Sequence, residues 1–293
     1  MRVPGTIERA RNRVTDAAAR VGGWAGDRDA RSASGVAIGA WRRYRAVEGP
    51  LQSALLSLYV LVAVVPAVLV MEEYLDPHPN SLANSLVRHY RLNASASELI
   101  HNVLAQGRSH ELGSAVIAIV SALVFGIGFG HVLQLVHARA WQLDLRTGVA
   151  DQVGYGAVLA GLYGLLLLLL LQLNEFHTRS TFVKALLGIG WAGFLTLFFV
   201  VVPWLLMHKQ IAPRDLVPGA VLTAFGLVVL TFISGLVMEP WVNLYARDYG
   251  GLGVVLAIYF WLAFSSAVIV WAASLSPPLS ERRTLKQADV PRR

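Results

Sequence analysis

Apolar residues along the chain gather into six long runs that are separated by polar segments. Each run is close to the roughly 20 residues that an α-helix needs to cross the hydrocarbon core of a bilayer. No charged residue lies near the middle of any run. The pattern predicts an all-α, polytopic membrane helix bundle with six transmembrane helices. The predicted spans are residues 51–71, 112–136, 153–173, 182–207, 217–238 and 252–275.

The segments outside the spans predict further elements. Residues 1–35 contain mainly Ala, Gly, Arg and Asp with little apolar period, which predicts a mobile basic cytoplasmic segment. Val36, Ala40 and Tyr44 then recur at helical spacing beside several arginines, which predicts an amphipathic helix on the inner membrane surface. The longest connection, residues 72–111, carries two short apolar stripes and predicts two short helices over the outer mouth of the bundle.

Charge is sparse along the chain and unevenly distributed. Only 15% of the residues are charged and 55% are hydrophobic, which excludes an ordinary soluble domain. Of the lysines and arginines outside the spans, 19 lie on one side of the predicted membrane and five on the other. Because basic loops stay in the cytoplasm, we predict two cytoplasmic termini, a membrane domain over residues 36–278 and a basic tail over residues 279–293. The net charge of +7 then reflects orientation and contact with anionic membrane lipids, and we expect no nucleic-acid partner.

Small residues recur at helical spacing in the second and third spans. They form smooth stripes that let helices approach closely, either within the chain or between copies in a homo-oligomer. We therefore predict that these two spans are central, tightly packed helices. The stripe of the second span consists of Ser114, Ala118, Ala122, Gly126 and Gly130, and that of the third of Gly154, Ala157, Gly161 and Gly164.

Three glycines stand directly before the last apolar run. A phosphate-binding loop would need a preceding strand, whereas a predicted span lies on each side of these glycines. They therefore predict a tight reversal on the outer face. A proline inside the first span predicts a kink there, and a Pro-Gly pair opens the fifth span. The residues assigned to turns or kinks are Pro66, Pro218, Gly219, Tyr249, Gly250, Gly251 and Gly253.

Polar residues in or beside the spans are the candidates for a substrate path. His131 lies in the second span with Gln134 on the same face, where either side chain could bind a substrate or bond to a neighbouring helix. Further polar residues gather at the predicted outer ends of the spans, where they line a polar mouth or mark the water boundary. The substrate-path candidates are His131, Gln134, Gln172, Asn174, Glu175, Asn243 and Arg247. The lack of charged residues inside the spans argues against a proton-driven antiporter.

No catalytic or metal-binding motif is present in the sequence. The chain contains no cysteine, and its eight histidines match no metal-ligand spacing. Neither the GxSxG sequence of a hydrolase nucleophile nor a Walker loop is found. We therefore expect no enzymatic activity, no cofactor and no bound metal.

Four stretches are similar to those of a known family. It has a Pro-Gly-Ala start of the fifth span, a Tyr-Gly-small-Leu-Gly turn before the last span, a proline after an aromatic residue in the first span, and an amphipathic exit from the second. The corresponding stretches here are LVPGAVLTAFG (216–226), YGGLGVVLAIYFWLAF (249–264), SLYVLVAVVPAVLV (57–70) and LQLVHARAWQL (133–143). The second-span exit lacks an Asn that is common in that family.

Together these stretches resemble the YihY/BrkB family of bacterial inner-membrane proteins, which is also described as ribonuclease BN-like. The resemblance implies a six-helix protein of the bacterial plasma membrane. The ribonuclease description finds no support in the residues, because RNA cleavage needs a metal cluster or positioned acid and base groups.

Two functions fit these observations. A translocator or permease for a lipid, an envelope precursor or another amphiphile fits a close-packed bundle with an uncharged interior. A non-transporting envelope scaffold that binds partners through residues 72–111 fits the long outer connection. The predicted partners are membrane lipids and an amphiphilic substrate.

Overall fold

The computed structural model describes residues 32–74, 112–144, 148 and 181–288, with a few isolated positions between 84 and 102. The regular elements in these residues are all helices, which confirms the all-α prediction. They are α1 (Ala33–Ala46), α2 (Gly49–Tyr74), α3 (Leu112–Ala140), α4 (Thr181–Leu206) and α5 (Pro213–Ala288). The predicted third span, the N-terminal segment and nearly all of the outer connection lie outside the described residues.

Two of the described helices are long and apolar enough to cross a membrane. They are α4 from Gly188 to Leu206 and α5 from Pro213 to Leu285. Helix α1 and the start of α2, which meet at a bend of 62°, make a third candidate if the pair is counted as one span. The six-span count therefore stays a prediction.

Helix α1 confirms the helix that was predicted near residue 36. Ser32 caps its N-terminus by accepting a hydrogen bond from the Gly35 backbone N–H at 2.9 Å. The predicted stripe of Val36, Ala40 and Tyr44 is buried. Tyr44 packs against Trp271 in the C-terminal part of α5, and protein covers the whole stripe, which differs from the predicted membrane-surface contact.

Helices α2 and α3 pack against each other in antiparallel directions. Glu48, just before α2, forms an ion pair with Arg139 near the end of α3 at 2.9 Å. That contact lies at one end of this pair of helices, and farther along the Tyr59 ring lies directly on Gly128. A Cβ atom at position 128 would overlap this ring, so only glycine allows so close an approach.

The predicted small-residue stripe of the second span falls on α3. Its last two members, Gly126 and Gly130, are buried. The side chains of the other three, and the whole stripe of the third span, lie outside the described residues. The central placement of these two spans stays a prediction.

Helix α5 folds back on itself at Gly250. This glycine has φ 60° and ψ −138°, which is the non-helical backbone inside α5. Gly219 faces Ser276, and Gly226 faces Val268, so the two arms run in opposite directions. The chain therefore reverses among the three glycines, as predicted. The non-helical backbone of the reversal is confined to one residue, Gly250.

The two arms are longer than the spans that were predicted for them. The first arm is helical over residues 213–249, where the sequence predicted 217–238. The second is helical over residues 251–288, where the sequence predicted 252–275. The predicted connection and part of the predicted tail are thus helical extensions of the arms.

Large apolar side chains are exposed along α4 and along the first arm of α5. Phe225, Phe232 and Leu236 are 67%, 80% and 79% exposed, and they follow one another at helical spacing. Leu197 and Leu205 continue the exposed apolar surface on α4. A soluble monomer rarely exposes so many large apolar side chains, whereas lipid tails contact them without cost.

Candidate functional site

Polar side chains gather where α3 and α4 end and where the two ends of α5 lie. They are buried except for Asp215, which is half-buried. We call this cluster the polar junction. It consists of Gln134, His137, Asp215, Thr223, Ser276 and Ser280.

Gln134 ties α3 to the end of α4. Its Nε2 donates a hydrogen bond of 2.7 Å to the backbone carbonyl of Leu206, the last residue of α4. The final carbonyls of a helix have no partner within the helix, so a buried helix end needs such a donor. The amide therefore stabilises the end of α4 inside the junction.

Replacing Gln134 with leucine is expected to destabilise the protein by about 1–3 kcal/mol, because the Leu206 carbonyl would stay buried without a donor. Thermal unfolding of the purified protein in detergent measures the change. Thr196→Val is the matched control, since the Thr196 hydroxyl bonds to Ala192 of its own helix. An equal loss in both variants would contradict a special role for Gln134.

His137 lies one turn beyond Gln134 and is also buried, at 6% exposure. Its Nδ1 donates a hydrogen bond of 2.9 Å to the Leu133 carbonyl, four residues earlier in α3. Beside the ring is a cavity of about 10 Å³, which is room for about one water molecule. The cavity is lined by His137, Phe199, Leu216, Gly219, Thr223, Ser276 and two alanines of α5.

The two arms of α5 meet at this cavity. A Cβ atom on Gly219 would lie 2.7 Å from the Ser276 Cβ and 3.0 Å from the Ala272 carbonyl oxygen. The missing side chain thus lets the second arm come close enough for the Ser276 hydroxyl to donate to the Asp215 carbonyl at 3.1 Å. Gly219, predicted at a turn or kink, lies inside a helix and serves this contact.

Hydroxyl groups complete the junction. Thr223 donates to the Gly219 carbonyl at 2.9 Å, within the first arm. Ser280 donates to the Asp215 carboxylate at 2.9 Å, from the second arm to the first. The junction therefore contains one carboxylate, at its edge, and is otherwise uncharged.

Basic residues lie on α1, on both ends of α5 and in the connection from α4 to α5. Arg43 of α1 forms an ion pair with Glu281 of α5 at 2.6 Å. Lys209, in the connection from α4 to α5, lies over the Trp204 ring at 5.2 Å. Further exposed cations are Arg42, Arg45, Arg214 and Arg283. This end of the bundle can attract anionic groups.

The structure separates the predicted substrate-path residues. His131 is exposed, whereas Gln134, three residues later, is buried. Asn243 and Arg247 lie near the reversal at Gly250, away from the junction at the two ends of α5, and Arg247 contacts Asp248 at 3.5 Å. The remaining candidates are Gln172, Asn174 and Glu175, which lie outside the described residues. The substrate path itself stays a prediction.

The sequence analysis did not identify most of the junction. His137 follows the predicted span by one residue, and Thr223 and Ser276 are residue types that commonly bond within their own helix. The position of His137 one turn after Gln134 was the available signal. Among the described residues, no group of three His, Asp or Glu side chains could hold a metal ion.

Comparison with known proteins supports the predicted resemblance. No curated protein and no solved structure matches the chain. The profile of the family described as Virulence factor BrkB matches residues 40–293. This match contains α2 to α5 and includes both apolar helices that are long enough to cross a membrane. The chain is therefore an integral membrane protein and belongs to the Virulence factor BrkB family.

Proposed function

We infer that this protein is a translocator that moves a lipid, an envelope precursor or another amphiphile across the bacterial plasma membrane. It acts as a six-span protein with both termini in the cytoplasm and performs no enzymatic reaction. The observation that supports this function is the polar junction, which is buried between helices whose outer faces are apolar and exposed.

An amphiphile needs a polar surface for its head group and an apolar surface for its tails. Its head group must exchange water for hydrogen bonds, which the junction supplies through an amide, an imidazole and hydroxyl groups. Its apolar tails remain against lipid and against exposed side chains such as Phe225 and Leu197. Because a head group that stays hydrogen-bonded along a groove is never fully desolvated, this route requires no fully buried carboxylate.

The described conformation is closed. The cavity of about 10 Å³ is far too small for a lipid head group. Transport therefore requires the junction to open, and the contact between Gly219 and Ser276 is where the arms of α5 would separate. The surrounding arginines attract an anionic head group to this end before opening.

Lipid movement in vesicles tests the proposal. Full-length protein is reconstituted into liposomes that contain a fluorescent phospholipid, and a membrane-impermeant quencher follows how fast the inner-leaflet probe reaches the outer leaflet. Native protein is expected to raise this rate above that of protein-free vesicles. Thr223→Val is expected to lower it several-fold, because the variant keeps the shape of the side chain but removes a junction hydroxyl.

Ser274→Ala is the matched control. Ser274 is buried in the second arm, but its hydroxyl bonds to Val270 of its own helix and the residue does not line the cavity. Equal slowing in both variants would contradict a role for the junction. No movement above protein-free vesicles, with an envelope defect after deletion of residues 80–108, would favour the scaffold function.

A further inference from the structure

The side of α1 opposite its buried stripe combines apolar and cationic side chains. We call this side the outer face of α1. Its members are spaced three or four residues apart, so they lie next to one another on the helix surface. All are exposed except the first, which is half-buried. The outer face consists of Ile38, Trp41, Arg42 and Arg45.

The outer face carries two positive charges. Arg43 and Arg139, which lie nearby in the fold, are each paired with a glutamate. Neither Arg42 nor Arg45 forms such a pair with a carboxylate in the described part of the chain. The Arg45 guanidinium lies 5.2 Å from the centroid of the Trp41 ring, a contact that leaves its charge in place. The outer face is therefore complementary to an anionic group.

Trp41 lies where the exposed surface of α5 changes from apolar to charged. Its ring is 5.8 Å from that of Trp271, which is level with residues 219–226 of the first arm. The large exposed apolar side chains of the first arm begin in that stretch, at Val221, whereas Arg214 before it is exposed and charged. Tryptophan is enriched at this boundary between the hydrocarbon and the head groups of a bilayer. The outer face is thus at head-group level.

A second pair of a tryptophan and a cation lies at the same end of the bundle. Lys209 is 5.2 Å from the centroid of the Trp204 ring, where α4 ends and the connection to α5 begins. Near the reversal of α5, by contrast, Arg247 is paired with Asp248. Cations beside boundary tryptophans therefore occur at the end where α1 lies.

We propose that the outer face of α1 binds the phosphate group of an anionic phospholipid and thereby anchors α1 to the bilayer. Arg42 and Arg45 donate hydrogen bonds to the phosphate oxygens, which accept well from guanidinium groups. The Trp41 ring and Ile38 contact the lipid where its head group meets its acyl chains. Helix α1 thus packs against protein with one side and against lipid head groups with the other.

The composition of the outer face favours a lipid over other anions. Free phosphate or a nucleic acid would use the two arginines but would leave Trp41 and Ile38 in water. A zwitterionic lipid brings its own positive charge close to the two guanidinium groups, which weakens its binding relative to an anionic lipid. This surface lies outside the polar junction, and the proposal does not depend on lipid translocation.

Tryptophan quenching in nanodiscs tests the proposal. Full-length protein is placed in equal amounts of phosphatidylglycerol and phosphatidylcholine, with bromine on the acyl chains of one lipid or the other. The signal of Trp41 is the difference between native protein and Trp41→Phe. Brominated phosphatidylglycerol is expected to quench Trp41 several-fold more than brominated phosphatidylcholine. Equal quenching by the two lipids, or quenching by neither, would overturn the proposal.

Three comparisons assign the preference to the two arginines. Arg42→Gln/Arg45→Gln should quench equally with both lipids, whereas Arg42→Lys/Arg45→Lys should keep much of the preference. Arg214→Gln/Arg283→Gln removes two exposed cations outside α1 and should keep the preference as well. Loss of the preference in this last variant too would overturn the assignment to α1, because the general charge of this end would then attract the lipid.

Two further conditions use the native protein alone. High salt should weaken the preference, since it screens exposed charges. A preference that persists unchanged would overturn the electrostatic basis of the proposal. Inorganic phosphate at constant ionic strength should have no effect, and its displacement of the lipid would show a site for free phosphate instead. Because quenching requires no lipid movement, failure of the vesicle assay would overturn the translocator function and leave this test intact.

Discussion

Replacing Gly253 with alanine is expected to prevent the arms of α5 from closing on each other. Gly253 lies in the first turn after the reversal, and a Cβ atom there would overlap the carbonyl group of Tyr245. The obstacle is backbone of the opposite arm, which cannot rotate away as a side chain could. Overpacking a tight contact costs typically 1–3 kcal/mol, and a collision with backbone belongs at or above the upper end of that range.

The yield of monodisperse protein and its thermal unfolding in detergent measure this effect. We expect Gly253→Ala to lose most of its folded yield. Gly235→Ala is the matched control, because Gly235 lies in the same helix and has no atom within 4 Å of an added Cβ. The control should be neutral or slightly stabilised, since alanine favours a helix over glycine by up to about 1 kcal/mol. Similar behaviour of the two variants would show that the close approach at Gly253 does not determine folding.

The sequence could place this reversal but could not distinguish its glycines. Three glycines between two apolar runs allow a turn at any of them. Only Gly250 takes the positive φ, whereas Gly253 is helical and is needed for a contact. That difference depends on the register of the two arms, which is set by pairs as distant in sequence as Gly219 and Ser276.

The polar junction could likewise be predicted from the sequence only in part. Gln134 could be singled out because an amide inside an apolar run needs a partner, but the partner is the end of another helix, 72 residues away. His137 appears in the sequence as a residue at a water boundary. Its burial arises because α4 and both arms of α5 converge on it, and no local pattern encodes that convergence.

Helix α1 was predictable as a helix, whereas its partner was not. The stripe of Val36, Ala40 and Tyr44 would suit a membrane surface or a protein groove equally well. In the structure α1 packs against protein, because its aromatic rings contact Trp271 on the second arm of α5. The strength of this contact therefore decides whether α1 is part of the bundle.

Trp271→Ala is expected to release α1 from α5. The Trp271 ring stacks on Tyr44 with 4.4 Å between ring centroids and lies 5.8 Å from Trp41. Removing a packed Trp side chain typically costs about 3–5 kcal/mol. Among the contacts of α1 that remain, the ion pair from Arg43 to Glu281 has an exposed carboxylate, and such a pair contributes at most about 1 kcal/mol.

Hydrogen exchange of the α1 backbone amides measures this release. We expect exchange in α1 to become at least about tenfold faster in Trp271→Ala, since each 1.4 kcal/mol of lost docking energy changes the open population tenfold. Phe260→Ala is the control. Phe260 packs against Trp241, and its substitution removes an aromatic contact that does not involve α1. Faster exchange of α1 in the control as well would indicate general destabilisation. Unchanged exchange in Trp271→Ala would show that other contacts, such as that of Gly39 with Pro278, hold α1 on α5.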